Sequence, residues 1–153
     1  MVQALKKIDI RSNIVYVGVV VVFILFALML SGKGFTSTVN LLNILRQSSI
    51  IIVMAMAMTF VIGAAEIDLS VGSIAGLASV ATAMAIARFG IVAGVLAGLL
   101  VGVLCGVING LLVAWAKIPS FLTTLAMMGI TVGVAQWITD SSPQPILNAN
   151  YNF

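Results

Sequence analysis

Histidine is absent from this sequence, cysteine occurs once, and four acidic residues stand against seven lysines and arginines. Each shortage excludes something. Without histidine the chain lacks the commonest general base near neutral pH and the commonest metal ligand. The single cysteine, Cys105, lies in an apolar run with no second thiol to meet. A disulfide framework within the chain and a thiolate metal site are thereby excluded, which leaves a small packing residue. Charged residues make up 7% of the 153 positions and hydrophobic ones 62%. A soluble domain devotes about a quarter of its residues to charge. A chain this poor in charge cannot cover its own surface in water, and lipid is the solvent that tolerates it.

The charges that are present are scattered. Lys6, Lys7, Arg11, Lys33, Arg46, Arg88 and Lys117 against Asp9, Glu66, Asp68 and Asp140 give a net charge of +3. The basic residues fall singly or in a small N-terminal group between apolar runs, as interface anchors and topology signals do. No nucleic-acid partner is expected, since that would need a clustered basic stripe. Lys6, Lys7 and Arg11 place the N-terminus, 1–11, in the cytoplasm. The apolar stretch behind them is long and more follow, so it reads as a retained first span and not as a signal peptide.

A spanning helix needs about 20 mostly apolar residues. Charge-free windows at 12–32, 47–65, 69–87, 89–116 and 118–139 all reach that length. The fold class is therefore all-α: a polytopic transmembrane helix bundle of about five spans over 12–139, lying in a lipid bilayer. The fourth window is long, which implies a tilt or a break near Asn109-Gly110. Between the first two windows, 34–46 mixes Val39, Leu41, Leu42, Ile44 and Leu45 with Asn40, Asn43 and Arg46, the pattern of a short amphipathic helix at the membrane interface. After Thr139 the chain turns polar, Asp140-Ser141-Ser142-Pro143-Gln144-Pro145, and 140–153 reads as a tail.

Gly90, Gly94, Gly98, Gly102, Gly106 and Gly110 recur every four residues. On a helix this spacing makes a ridge without side chains, and such ridges let membrane helices approach closely where lipid supplies no hydrophobic drive. Each step overshoots a full turn by about 40°, so the ridge winds round the helix. Helix packing within one subunit is the plainer reading and a dimer face or sliding surface the alternative. Gly72 with Gly76, and Gly129 with Gly133, repeat the spacing once each. The methionines Met54, Met56, Met58, Met84, Met127 and Met128 read as adaptable core filling, with no ligands beside them for a metal.

The most informative segment is Ala65-Glu66-Ile67-Asp68-Leu69-Ser70-Val71-Gly72-Ser73, two carboxylates and two hydroxyls between apolar windows. An ionised carboxylate at mid-bilayer costs about 2.5–3.5 kcal/mol, so these groups must reach water, pair, or lie in a protein-lined cavity. One reading is a short hairpin loop in which Asp68 or Ser70 caps the next helix. The other is a broken helix lining a transport path, with Glu66, Asp68, Ser70, Gly72 and Ser73 beside it and Asn109 as a second polar candidate. Two acids without a histidine or a partner base do not ask for hydrolytic chemistry, so no catalytic residue and no metal site is expected.

The string Glu66-Ile67-Asp68-Leu69-Ser70-Val71-Gly72-Ser73 resembles the signature of the ribose/xylose-type ABC transporter permeases. Asn40-Leu41-Leu42-Asn43-Ile44-Leu45-Arg46-Gln47 and Met58-Thr59-Phe60-Val61-Ile62 are similar to the segments that precede it in that family. Gly106-Val107-Ile108-Asn109-Gly110-Leu111-Leu112-Val113 and Lys117-Ile118-Pro119-Ser120-Phe121-Leu122-Thr123-Thr124-Leu125 are similar to those that follow. Ala126 departs from the glycine common after that Thr-Leu. The likeness runs from about Asn40 to Pro145, in the family's order.

The resemblance implies a membrane-embedded, non-catalytic permease subunit of a binding-protein-dependent importer for a monosaccharide or similar small polar solute, in the bacterial cell (inner) membrane. It implies a second permease subunit, homo- or heterodimeric, and ABC ATPase subunits that bind ATP on the cytoplasmic side. A periplasmic or lipid-anchored sugar-binding protein would deliver the solute. No cofactor belongs to this chain. Family members are about twice as long, so the chain is expected to be a truncated permease, a split half or the product of an interrupted gene. Three other readings stand beside it: a self-contained homo-oligomeric channel or exporter, an intramembrane enzyme using the two acids, and a branched-chain amino-acid permease. The last is not expected to match the Glu-Ile-Asp-Leu-Ser string.

Overall fold

The computed structural model describes residues 10–145. Most of the expected cytoplasmic segment 1–11, with its lysines, and the end of the polar tail lie outside the described residues. Within them the chain is helical: α1 (Ile10–Met29), α2 (Thr38–Gly63), α3 (Val71–Phe89), α4 (Ile91–Ala114) and α5 (Ser120–Thr139). Four of these, α2 to α5, are long and apolar enough to cross a membrane, while α1 is apolar over the shorter stretch Asn13–Met29. Gly90 and Pro119 mark the boundaries of α3, α4 and α5, whereas Arg11, Arg46 and Arg88 are carried inside α1, α2 and α3.

The chain forms two compact units, Met1–Val53 and Met54–Phe153. In the first, the connection after α1 reverses through Gly32 and Gly34, both at positive φ (81° and 80°). Phe35 then folds back onto α1, its ring centroid 5.5 Å from Phe23 and 6.0 Å from Phe26. Asn40 Nδ2 donates to the Phe35 carbonyl at 2.7 Å, and the Asn40 amide donates to Ser37 Oγ at 3.3 Å, fixing the start of α2.

The expected separate interfacial helix at 34–46 is not seen. From Thr38 onward that segment is the opening of α2, which runs unbroken for 26 residues. Nothing between Asn40 and Gln47 breaks a helix, and in lipid the cheapest way to satisfy each backbone group is to continue the one already begun. At about 1.5 Å per residue α2 is about 39 Å long, beyond the hydrocarbon thickness of about 30 Å, so its polar first turns can stand in the headgroups.

In the second unit α3, α4 and α5 pack on one another. A single residue, Gly90, joins α3 to α4. Its φ of 86° and ψ of 177° lie in a region only glycine enters readily, which is what allows so short a reversal. The expected break near Asn109-Gly110 does not occur either; α4 is continuous to Ala114. Asn109 is accommodated because its carboxamide is bonded to a neighbouring element and leaves the helix ladder alone.

Burial is inverted relative to a water-soluble protein. Among the described residues the buried polar side chains are Ser70, Asn109, Thr123, Thr124, Thr131 and Thr139, whereas the buried hydrophobic ones are Cys105 and Met127. Large apolar side chains such as Phe60 (81% exposed), Trp115 (86%) and Trp137 (80%) face outward. Such a surface would aggregate in water and is what lipid requires.

Candidate functional site

The segment 64–70 is the non-helical link between α2 and α3. It begins where α2 closes in a glycine-type cap that has no glycine. Ala65 takes a left-handed φ of 58°. Its amide donates to the Ile62 carbonyl at 2.9 Å, and the Glu66 amide donates to the Val61 carbonyl at 3.1 Å. The chain then runs past the start of α5. Ile67 N–H donates to Ser120 Oγ and Leu69 N–H to Thr124 Oγ1, each at 3.1 Å. Asp68 closes a small turn, its Oδ1 accepting from the Ser70 amide at 2.7 Å and from Ser70 Oγ at 2.6 Å.

Ser70 is the centre of the cluster and is wholly buried, 0% exposed. Its hydroxyl donates to Asp68 and accepts from Asn109 Nδ2 on α4 at 3.0 Å. Its carbonyl accepts from Ser73 Oγ at 2.8 Å. Ser73 Oγ in turn accepts from Thr131 Oγ1 on α5 at 2.9 Å. A continuous polar seam thus runs from α5 through α3 to α4. One acceptor in it, Asn109 Oδ1, is buried with no hydrogen-bond partner among the described residues, as is Thr123 Oγ1 on α5. Ser70 is the N-cap of α3 but makes no side-chain cap bond, so the expected capping by Ser70 or Asp68 is not what is found. The Asp68 carboxylate engages the cap residue itself.

The structure therefore brings together four of the six path candidates: Asp68, Ser70, Ser73 and Asn109. Glu66 lies at the rim, half-buried, lining an open cleft of about 500 Å³ with Lys117, Ile118, Pro119 and Ser120. Gly72 stands apart on an exposed side of α3, with nothing within 4 Å of where a Cβ would be. The glycine ladder divides likewise. A Cβ on Gly94 would collide with Ile86 and lie 3.0 Å from the Thr82 carbonyl, and one on Gly98 would collide with the Thr82 hydroxyl. Gly102, Gly106 and Gly110 meet nothing within 4 Å among the described residues, and Gly90 is the turn itself. Among the described residues no three His, Cys, Asp or Glu side chains gather as a metal site would need.

A protein-family profile described as the permease component of branched-chain amino acid transport systems matches residues 40–145. The chain belongs to this permease family. With four helices fit to cross a membrane and a shorter apolar one, it is a multi-pass protein of the cell (inner) membrane. The individual relatives are named for other solutes. The permease chain is 36% identical over 143 residues to the xylose transport system permease protein of Haemophilus influenzae, covering 90% of itself and 38% of that protein. It is 40% identical over 139 residues to the ribose import permease protein of Bacillus subtilis, covering 90% and 42%. To the autoinducer 2 import system permease protein of Yersinia pseudotuberculosis it is 36% identical over 132 residues, covering 85% and 38%. The chain thus spans about two-fifths of the length of these curated relatives. No solved structure matches it.

Sequence reasoning did not single out the α5 side of the seam. Ser120 and Thr124 stood only as letters of a motif, and Thr131 was not named at all. The signal available was spacing: with Met127 they fall at steps of four, three and four, on one face of the helix.

Proposed function

We propose that this permease chain forms part of the translocation path of a binding-protein-dependent ABC importer for a monosaccharide or similar small polar solute. The observation that carries the reading is the wholly buried Ser70, which joins Asp68 to Asn109 inside a bundle whose exterior is apolar. Polar and ionisable groups are expensive in a membrane and mark the places where water or a polar solute is handled. Irregular backbone at a helix junction, as at 64–70, is the form such places take in transporters. Xylose and ribose, for which two relatives are named, are polyols and need both donors and acceptors. Carboxylate, carboxamide and hydroxyl groups in one seam match that need.

In this reading the chain itself carries out no bond-breaking step and holds no cofactor. ATP is bound and hydrolysed by ABC ATPase subunits, a periplasmic or lipid-anchored sugar-binding protein delivers the solute, and a second permease subunit completes the path. The test is uptake of labelled ribose or xylose into vesicles holding the chain with ATPase and binding-protein partners. ATP-dependent uptake that falls about tenfold on Asp68→Asn is expected, the scale of losing one charge-assisted hydrogen bond. Flux that needs neither ATP nor a binding protein would mark a self-contained channel. Uptake and assembly untouched by both Asp68→Asn and Glu66→Gln would sink the path assignment.

A further inference from the structure

The acidic link is held to α5 by a register match. Along an extended chain the amides of residues i and i+2 are about 6.6 Å apart. Along a helix, residues i and i+4 are separated by about 6 Å of rise and share a face. Ile67 and Leu69 present the first spacing, and the Ser120 and Thr124 hydroxyls present the second. The Thr124 hydroxyl is fully used by this arrangement. Its proton goes to the Ser120 carbonyl at 2.8 Å, which leaves a lone pair for the Leu69 amide. Pro119 sets the geometry by standing as N-cap, so that Ser120 is the first helical residue and Thr124 lies one turn deeper, 3% exposed. Among the described residues these two amides make no other hydrogen bond.

We infer that Ser120 and Thr124 are positioning residues for the two carboxylates, clamping the backbone on either side of Asp68 and just after Glu66 so that the link and the first turns of α5 move as one body. The inference rests on the importer reading for its consequence, though not for its geometry. Thr124→Val keeps the shape and removes the acceptor; Thr124→Ser keeps the acceptor.

Two readouts test it. In residue-resolved amide exchange of the purified chain in micelles, Thr124→Val speeds exchange at Leu69 about tenfold, while the amides within α5 are unmoved and Thr124→Ser restores the original rate. In the vesicle assay, Thr124→Val lowers the maximal uptake rate more than the half-saturating solute concentration changes, and Thr124→Ser again restores it. Exchange at Leu69 unaffected by Thr124→Val overturns the clamp. Faster exchange with undiminished uptake overturns the positioning role and leaves the importer reading intact. If the unsubstituted chain with its partners takes up no solute, the importer reading fails and the positioning role with it, while the exchange result still decides the clamp.

Discussion

The two ends of α3 are fastened by opposite means. At its N-terminal end Ser70 and Ser73 reach Asp68, Asn109 and Thr131 through side-chain hydrogen bonds. Towards its C-terminal end the Ile86 side chain and the Thr82 carbonyl and hydroxyl lie against Gly94 and Gly98, where the neighbour has no side chain. Lipid gives neither contact a hydrophobic drive, so one end relies on directional polar bonds and the other on close dispersion contact. A hydrogen bond specifies which atoms meet and is lost by small displacements. A glycine contact specifies only how near the helices come and fails when volume is added. The same helix is thus fixed in register at one end and in distance at the other, and each end should respond to a different kind of substitution.

The largest effect is expected from adding volume at the glycine end. Gly94→Leu places a branched side chain where even a Cβ would meet Ile86 and the Thr82 carbonyl. Because one of those neighbours is backbone, side-chain rotation alone cannot make room, and a loss of about 3 kcal/mol is expected. Denaturant titration of the purified chain in detergent measures it. Unchanged stability would mean that α3 and α4 do not approach as closely as described.

Removing a bond at the other end comes next. Ser70→Ala leaves a buried Asn109 amide without its acceptor and takes one donor from Asp68, at an expected cost of about 2 kcal/mol. Combined with Asn109→Ala, the two losses should fall short of additive by about 1 kcal/mol. Strict additivity would mean that the bond between them contributes nothing and that the polar end is held elsewhere.

A smaller loss, about 1 kcal/mol, is expected for Thr131→Val, again by denaturant titration. Valine has the shape of threonine, and Ser73 keeps its bond to the Ser70 carbonyl when its donor from α5 goes. If this substitution cost more than Ser70→Ala, the seam would be centred on α5 and not on Ser70.

How much of this was legible beforehand differs between the two ends. That Asp68, Ser70 and Asn109 needed partners followed from the cost of burying them, and the approximate ends of α3, α4 and α5 followed from the charges at Asp68, Arg88, Lys117 and Asp140. The α5 hydroxyls were opaque for a physical reason. A threonine in a helix ordinarily bonds back to the preceding turn, as Thr139 does to Ala135. Nothing in the sequence tells which of them also reaches across to another helix. The start of α2 was misplaced because a mixed polar and apolar pattern marks a surface and carries no stop signal.

The ladder at the glycine end was visible as a spacing, but its use was not. Each four-residue step turns the ridge by about 40°, so that by Gly106 it has rotated about 120° away from the side on which Gly94 meets α3. Gly106→Leu should therefore change the stability of the isolated chain by no more than about 0.5 kcal/mol, as exposed sites do. The useful measurement pairs it with Gly94→Leu in the same detergent titration. A wide gap between the two assigns the α3 contact to the first rungs of the ladder alone. Equal losses would mean that the whole ridge packs inside this bundle and that α4 is rotated from the orientation described.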